Sequence, residues 1–79
     1  MEAGDNVSRV LAYIRYSETY FEMICDKHMI DDCIEKWNTG VEKIIHFYGA
    51  LNHADANMFT VDVLNESIVS IEIRELNSL

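Results

Sequence analysis

The stretch IDDCIEKWNTGVEKIIHFYGAL, residues 30–51, contains the most regular apolar pattern of the chain. Its apolar residues follow one another in alternating steps of four and three, which places them on one face of a helix. They are Ile30, Ile34, Trp37, Val41, Ile44, Tyr48 and Leu51. Asp31 and Asp32 lie in the first turn, where the helix dipole favours acidic side chains. We predict an amphipathic helix over 30–51, although Gly40 at its middle costs about 1 kcal/mol relative to alanine.

The segment before this stretch has a second, interrupted helical pattern. Asp5 or Asn6 can cap the start of a helix, and the pattern fades near residues 27–28. A polar group at 17–19 interrupts it, so we expect a kink or a pause there. The apolar positions are Val7, Val10, Leu11, Ile14, Phe21, Ile24 and Cys25, with Tyr13, Tyr16 and Tyr20 around them.

After a loop predicted over 52–57, the period of the pattern changes from helical to two. The alternating apolar residues are Phe59, Val61 and Val63 in one run, and Val69, Ile71 and Ile73 in the next. Both runs are rich in β-branched residues, which favours two strands joined as a hairpin through 64–67. A helical alternative exists, because four residues also share one helical face: Val61, Leu64, Ile68 and Ile71. We favour the strands.

The predicted fold class is α+β, with two amphipathic helices followed by a β-hairpin in a single domain over 1–79. A chain of 79 residues is near the lower limit for a self-sufficient core, and an isolated hairpin exposes two strand edges. We therefore expect a homodimer, in which either the hairpins pair edge to edge or the second helices pack together. Ile68 lies on the strand face opposite Val69, Ile71 and Ile73, which makes it a candidate dimer-interface residue.

The two cysteines, Cys25 and Cys33, are eight residues apart. On a helix their Cα atoms would lie roughly 12 Å apart, too far for a disulfide unless a tight turn brings them together. The sequence has neither a signal-peptide pattern at its start nor an apolar run near the ~20 residues that span a membrane. We expect a cytoplasmic protein with reduced thiols.

The sequence contains no pattern typical of a catalytic or metal site. Zinc sites have closely paired ligands, whereas here the ligand types are spread over Cys25, His28, Cys33, His46 and His53. No glycine-rich phosphate loop, nucleophile turn or calcium-binding loop is present. We therefore predict a binding protein rather than an enzyme, without metal or cofactor.

Charge is the outlying property of the composition. Fourteen acidic residues against six basic ones give a formal net charge of −8. Such charge disfavours nucleic acid and anionic membranes as direct partners, and it favours either a basic partner protein or solubility alone. Every fourth residue from 18 to 26 is acidic, so on a helix these carboxylates would stand about 6 Å apart, close to the spacing of phosphates along a nucleic-acid strand. Further acidic residues follow up to residue 35, and we predict that all six acidic residues from 18 to 35 bind the partner. They are Glu18, Glu22, Asp26, Asp31, Asp32 and Glu35, with Tyr16 and Tyr20 as additional contact residues.

This acidic series and the overall charge resemble those of the small DNA-mimic inhibitors that bacteriophages make against host DNA-binding proteins. The resemblance implies an acidic inhibitor, often dimeric, whose carboxylates replace phosphates on the basic surface of a nucleoid-associated or defence protein. Two alternatives stay open. One is an immunity- or antitoxin-like protein that recognises one partner by shape, and the other is an adaptor that docks through an apolar helix or strand-edge surface.

Overall fold

A computed structural model of the chain describes residues 9–51 and 57–76. Strands account for 59% of the described residues and helices for 25%, so the fold is mostly β. In chain order the elements are β1 (Arg9–Tyr16), β2 (Thr19–Asp26), α1 (Lys27–Thr39), β3 (Ile44–Gly49), β4 (Phe59–Leu64), a 3-10 turn (Asn65–Ser67) and β5 (Ile68–Glu75). One sheet has the order β2-β1-β5 and the other pairs β3 with β4, all antiparallel.

The predicted first helix is wrong, because this segment forms the β1–β2 hairpin. The strands pair from Arg9 with Asp26 to Tyr16 with Thr19. Every second residue of β1 is buried, and these buried residues are Val10, Ala12 and Ile14. The same segment offers both a helical and a period-two pattern, and the long-range pairing with β5 selects the strand. The polar interruption is the two-residue turn of the hairpin, where Ser17 has a φ of +50°.

The predicted second helix is correct only over its first half. Asp26 caps α1, since its carboxylate accepts a hydrogen bond from the His28 amide at 2.9 Å. The helix ends at Thr39, because Gly40 adopts the left-handed conformation with a φ of +72° and donates its amide to the Lys36 carbonyl. Gly40 is therefore a helix terminator rather than a mid-helix residue. Beyond it, β3 buries alternate residues, so its period is two.

The two C-terminal strands are confirmed, but the predicted hairpin between them is wrong. β4 pairs with β3, whereas β5 pairs with β1 in the other sheet. The 3-10 turn at Asn65–Ser67 carries the chain from one sheet to the other. Two backbone hydrogen bonds hold this turn: the Asn65 amide donates to the Lys43 carbonyl at 2.8 Å, and the Ser67 carbonyl accepts from the Ser17 amide at 2.9 Å.

A bulge near the start of β5 corrects the predicted position of Ile68. Arg15 pairs with Ser70 and Tyr16 with Ile68, so Val69 is left without a register partner. The extra residue shifts the alternation, which leaves Val69 57% exposed and Ile68 only 7% exposed. Ile68 therefore lies in the core of its own chain and not on a free face.

One core lies between the two sheets and α1. It includes Ile14 and Met23 from the first sheet, Phe47 and Ile45 from the second, and Ile30 from α1. Trp37 of α1 is half-buried against it. The sheets meet at a seam where Ile24 and Ala50 exchange two backbone hydrogen bonds of 2.8 and 2.9 Å.

Gly49 at this seam permits a close approach of the two sheets. A Cβ added there would lie 2.7 Å from the Ile24 carbonyl oxygen and 2.9 Å from the Met23 sulfur. Glycine is thus required by packing, because these distances are shorter than any ordinary contact.

The remaining sequence predictions concern undescribed residues, the two cysteines and membrane spans. The candidate N-caps Asp5 and Asn6, and residues 52–56 of the loop predicted over 52–57, which include His53, lie outside the described residues. Cys25 and Cys33 are both free and buried. Within the described ranges, the helices are too short and too polar to cross a membrane.

Candidate interaction surface

The outer face of the three-stranded sheet gathers aromatic and charged side chains. Strand register places Glu22 of β2 and Glu72 of β5 directly opposite Tyr13 of β1, one on each side. The next row pairs Arg15 with Tyr20 and Ser70, and Arg74 follows on the other side of the tyrosine row. We call this surface the Tyr13 face; its residues are Tyr13, Arg15, Tyr20, Glu22, Glu72 and Arg74.

Two tyrosines of the Tyr13 face form a preorganised stack. The rings of Tyr13 and Tyr20 are parallel within 13°, with centroids 4.7 Å apart. Tyr20 is 53% exposed, so the stack is open to a partner. A shallow depression of about 260 Å³ adjoins it, lined by Leu11, Tyr13, Glu22, Glu72, Ile73 and Arg74. Tyrosine and arginine are both enriched at protein interfaces, and tyrosine offers much contact area at a low entropic cost.

The charged side chains of this face are available for binding. Within residues 9–51 and 57–76, no ion pair or hydrogen bond engages the side chains of Glu22, Glu72, Arg15 or Arg74. Glu22 and Glu72 flank an aromatic ring, which is an arrangement that attracts the cationic end of a lysine or arginine. The two arginines can in turn bind carboxylates. The face is thus equipped for polar contacts of both signs around an aromatic centre.

The structure places the predicted site residues on different elements. Tyr20 and Glu22 belong to the Tyr13 face, and Glu18 lies in the turn beside it. Tyr16 is half-buried and packs edge-on against Phe21 with centroids 5.7 Å apart. The remaining four are on or next to α1: Asp26, Asp31, Asp32 and Glu35.

Most of the acids near α1 have structural partners. Asp26 caps the helix, Asp31 lies 2.9 Å from the Lys27 ammonium, and Asp32 lies 3.1 Å from that of Lys36. Each ammonium group donates a hydrogen bond to its carboxylate, which raises the pKa of both lysines, so the lysines stay charged well above neutral pH. Such exposed pairs contribute little stability, but they reduce the negative potential of α1.

The phosphate-like row of carboxylates depended on the first helix and is not formed. Glu18, Glu22 and Asp26 lie on a hairpin, where four residues span about 13 Å rather than 6 Å. These three acids and those of α1 therefore form no single evenly spaced series. Any binding to a basic protein must rest on a different arrangement.

Four residues of the Tyr13 face are not among the site residues predicted from the sequence: Tyr13, Arg15, Glu72 and Arg74. The sequence analysis predicts a helix for the segment that contains Tyr13 and Arg15, and this prediction does not place the two side chains on the same face of a strand. The signal that could have found it is the alternation of Val10, Ala12 and Ile14 with larger polar or aromatic residues. Glu72 and Arg74 come from β5, and only the observed sheet order places them beside β1.

A second exposed surface lies on the outer face of the two-stranded sheet. Register pairs Ile44 with Leu64, His46 with Asp62, and Tyr48 with Thr60. Ile44 is 43% and Leu64 is 51% exposed, and the His46 ring lies 2.7 Å from the Asp62 carboxylate. We call this surface the Ile44 face; its residues are Ile44, His46, Tyr48, Thr60, Asp62 and Leu64.

The buried thiols are not arranged for nucleophilic chemistry. Desolvation raises the pKa of Cys25 and of Cys33 to about 11, so both are protonated at neutral pH. The Cys33 thiol donates to the His46 carbonyl at 3.2 Å. No group of three or more histidine, cysteine or acidic side chains in the described part of the chain could hold a metal ion.

No protein family, curated protein or solved structure matches this chain.

Proposed function

We propose that this protein is an acidic interaction module that binds a basic partner protein through the Tyr13 face. The observation that carries the proposal is the exposed Tyr13–Tyr20 stack flanked by Glu22 and Glu72, whose carboxylates have no partner among the described residues. A lysine or arginine of the partner enters between the two carboxylates, over the ring of Tyr13. Desolvated cation–aromatic contacts of this kind contribute up to about 2 kcal/mol.

Long-range charge and short-range contact have separate roles in this proposal. The net charge of −8 attracts basic proteins and repels acidic ones, which raises the rate of encounter. The Tyr13 face then determines where the partner is held. Its rigidity supports binding, because β1 is hydrogen-bonded on both edges and the rings are already stacked.

The partner's basic surface is one that otherwise contacts nucleic acid, so the protein acts as a competitive inhibitor. Clustered lysines and arginines are the usual feature of nucleic-acid-binding surfaces. This part of the proposal rests on charge and on the resemblance to acidic phage inhibitors, without a row of carboxylates at phosphate spacing.

Pull-down from lysates of candidate host cells, at about 0.1 and 0.5 M salt, tests the proposal with two matched variants. The face variant is Tyr20→Ser/Glu22→Gln/Glu72→Gln, and the control variant is Leu51→Ser/Glu35→Gln/Glu42→Gln. Each removes one large exposed side chain and two exposed carboxylates. We expect wild type and control to retain the same basic proteins at low salt only, and the face variant to lose them.

Two outcomes contradict the proposal. The Tyr13 face is excluded if its variant folds, as judged by circular dichroism, and still captures the same partner. A basic partner is excluded if the captured protein is acidic and stays bound at high salt. Duplex DNA added to a purified complex tests the inhibitory part, since it must displace this protein from the partner.

A further inference from the structure

The Ile44 face combines exposed apolar residues with a hydrogen-bonded polar pair. Ile44 and Leu64 lie directly opposite each other at one end of the two strands, and both are about half exposed. The His46–Asp62 pair occupies the middle, and Tyr48, which is 50% exposed, lies opposite Thr60 at the other end. Apolar residues opposite each other on an outward strand face are an unusual use of solvent-exposed positions.

This face is complementary to itself under a two-fold rotation. If two copies pack face to face about an axis parallel to the strands, β3 of one copy lies over β4 of the other at the same height. Ile44 then faces Leu64, and His46 faces Asp62, of the second copy. Each contact occurs twice, so apolar side chains meet apolar ones and each imidazole meets a carboxylate.

We propose that the Ile44 face is the interface of a homodimer, in which two two-stranded sheets form a small sandwich. The two-stranded sheet gains most from such a partner, because a pair of strands covered on one face only is marginal. The inference is independent of the proposed function, since the Tyr13 face lies on the other sheet and shares no residue with the Ile44 face.

The salt dependence of this dimer has a definite sign. Two chains of net charge −8 repel each other, so screening by salt strengthens the dimer. Binding of a basic partner weakens with salt for the same reason. Salt concentration therefore distinguishes the homodimer from the complex with a basic partner, because it changes the two affinities in opposite directions.

Sedimentation equilibrium of the full chain at about 0.05 and 0.5 M salt tests the interface. We expect a dimer whose dissociation constant falls as salt rises. Leu64→Glu places a charge at the interface and should raise the dissociation constant about tenfold or more. The matched control is Val69→Glu, because Val69 is similarly exposed on a strand of the other sheet and should leave dimerisation unchanged.

A charge exchange gives a second, independent test. His46→Asp places two carboxylates together both within a chain and across the interface, and it should weaken the dimer. The double variant His46→Asp/Asp62→His restores both pairings and should recover dimerisation. A wild type that is monomeric at both salt concentrations overturns the proposal. Equal effects of Leu64→Glu and Val69→Glu also overturn it, and so does a double variant as weak as His46→Asp alone.

Discussion

The three-stranded and the two-stranded sheets are stabilised in different ways. In the first, β1 is central and pairs with neighbours on both edges. In the second, β3 and β4 pair only with each other, and the remaining support comes from outside. This support includes the packing of Ile45, Phe47 and Val63 in the core, the Ile24–Ala50 bridge, and the hydrogen bond from the Cys33 thiol to the His46 carbonyl. The pairing within the three-stranded sheet therefore supports its central strand on both sides, whereas the stability of the two-stranded sheet depends on contacts with the rest of the protein.

The largest expected effect comes from breaking the seam between the sheets. Gly49→Ala places a Cβ against the Ile24 carbonyl, and the backbone must shift because a carbonyl cannot rotate away as a side chain can. We expect a loss of about 2–3 kcal/mol in the free energy of unfolding. Urea denaturation measures the loss, and hydrogen exchange should show that β3 and β4 lose more protection than β1.

Gly40→Ala is the matched control for that variant. A Cβ at Gly40 meets nothing within 4 Å, but its φ of +72° is unfavourable for alanine. We expect a loss of about 1 kcal/mol from this backbone strain alone. The seam would be unimportant if Gly49→Ala were no more destabilising than Gly40→Ala.

The next effect concerns the Asn65 side chain, which connects the end of α1 to the turn after β4. Its amide nitrogen lies 3.1 Å from the Glu42 carbonyl and 3.4 Å from those of Lys36 and Trp37. Asn65→Asp replaces this donor by a negative charge facing three carbonyl oxygens. We expect a loss of about 2 kcal/mol. Thermal unfolding measures it, with Asn38→Asp on the exposed side of α1 as control; equal losses would show that charge alone is responsible.

Alkaline pH should weaken the core between the sheets. Burial raises the pKa of Cys25 and Cys33 from 9.0 to about 11, so the unfolded chain releases these protons first. Stability is fully retained below about pH 9 and falls towards pH 11, by roughly 1 kcal/mol per thiol at pH 10. Denaturation at pH 8, 9 and 10 measures the slope. Cys25→Ala should remove about half of the thiol contribution, and an unchanged slope would contradict this origin.

The smallest expected effect is a stabilisation of the three-stranded sheet. Ser17 has a φ of +50° at the first position of the β1–β2 turn, where favoured two-residue turns place glycine. Ser17→Gly relieves this strain and should stabilise the protein by about 0.5 kcal/mol. Thermal unfolding checks the sign. Ser70→Gly, on β5 where the backbone φ is negative, should destabilise instead.

The outcome of sequence reasoning differs along the chain for physical reasons. β4 and β5 were found because their alternation was clear and β-branched, whereas β1 and β2 were not, because Val10, Leu11 and Ile14 also fit a helix. Gly40 was recognised as costly in a helix, but its role as a terminator requires knowledge of its φ. The bulge at Val69 was beyond prediction, since it is defined by pairing with a distant strand.

The candidate sites show the same division. Tyr20 and Glu22 were identified as partner-binding residues from composition and charge, and they do share one exposed face. Their neighbours on that face come from strands far apart in sequence, so only the sheet order reveals them. The predicted 6 Å spacing of the carboxylates is wrong because it was calculated for a helix, whereas Glu22 and Asp26 lie on strand β2.

The position of Trp37 has a practical consequence. It is the only tryptophan of the chain, and its own carbonyl accepts from the Asn65 amide where α1 ends. The fluorescence of its indole therefore reports on the contact between the end of α1 and the turn at Asn65–Ser67. A red shift without loss of far-ultraviolet ellipticity would report loosening of that contact while the strands stay intact.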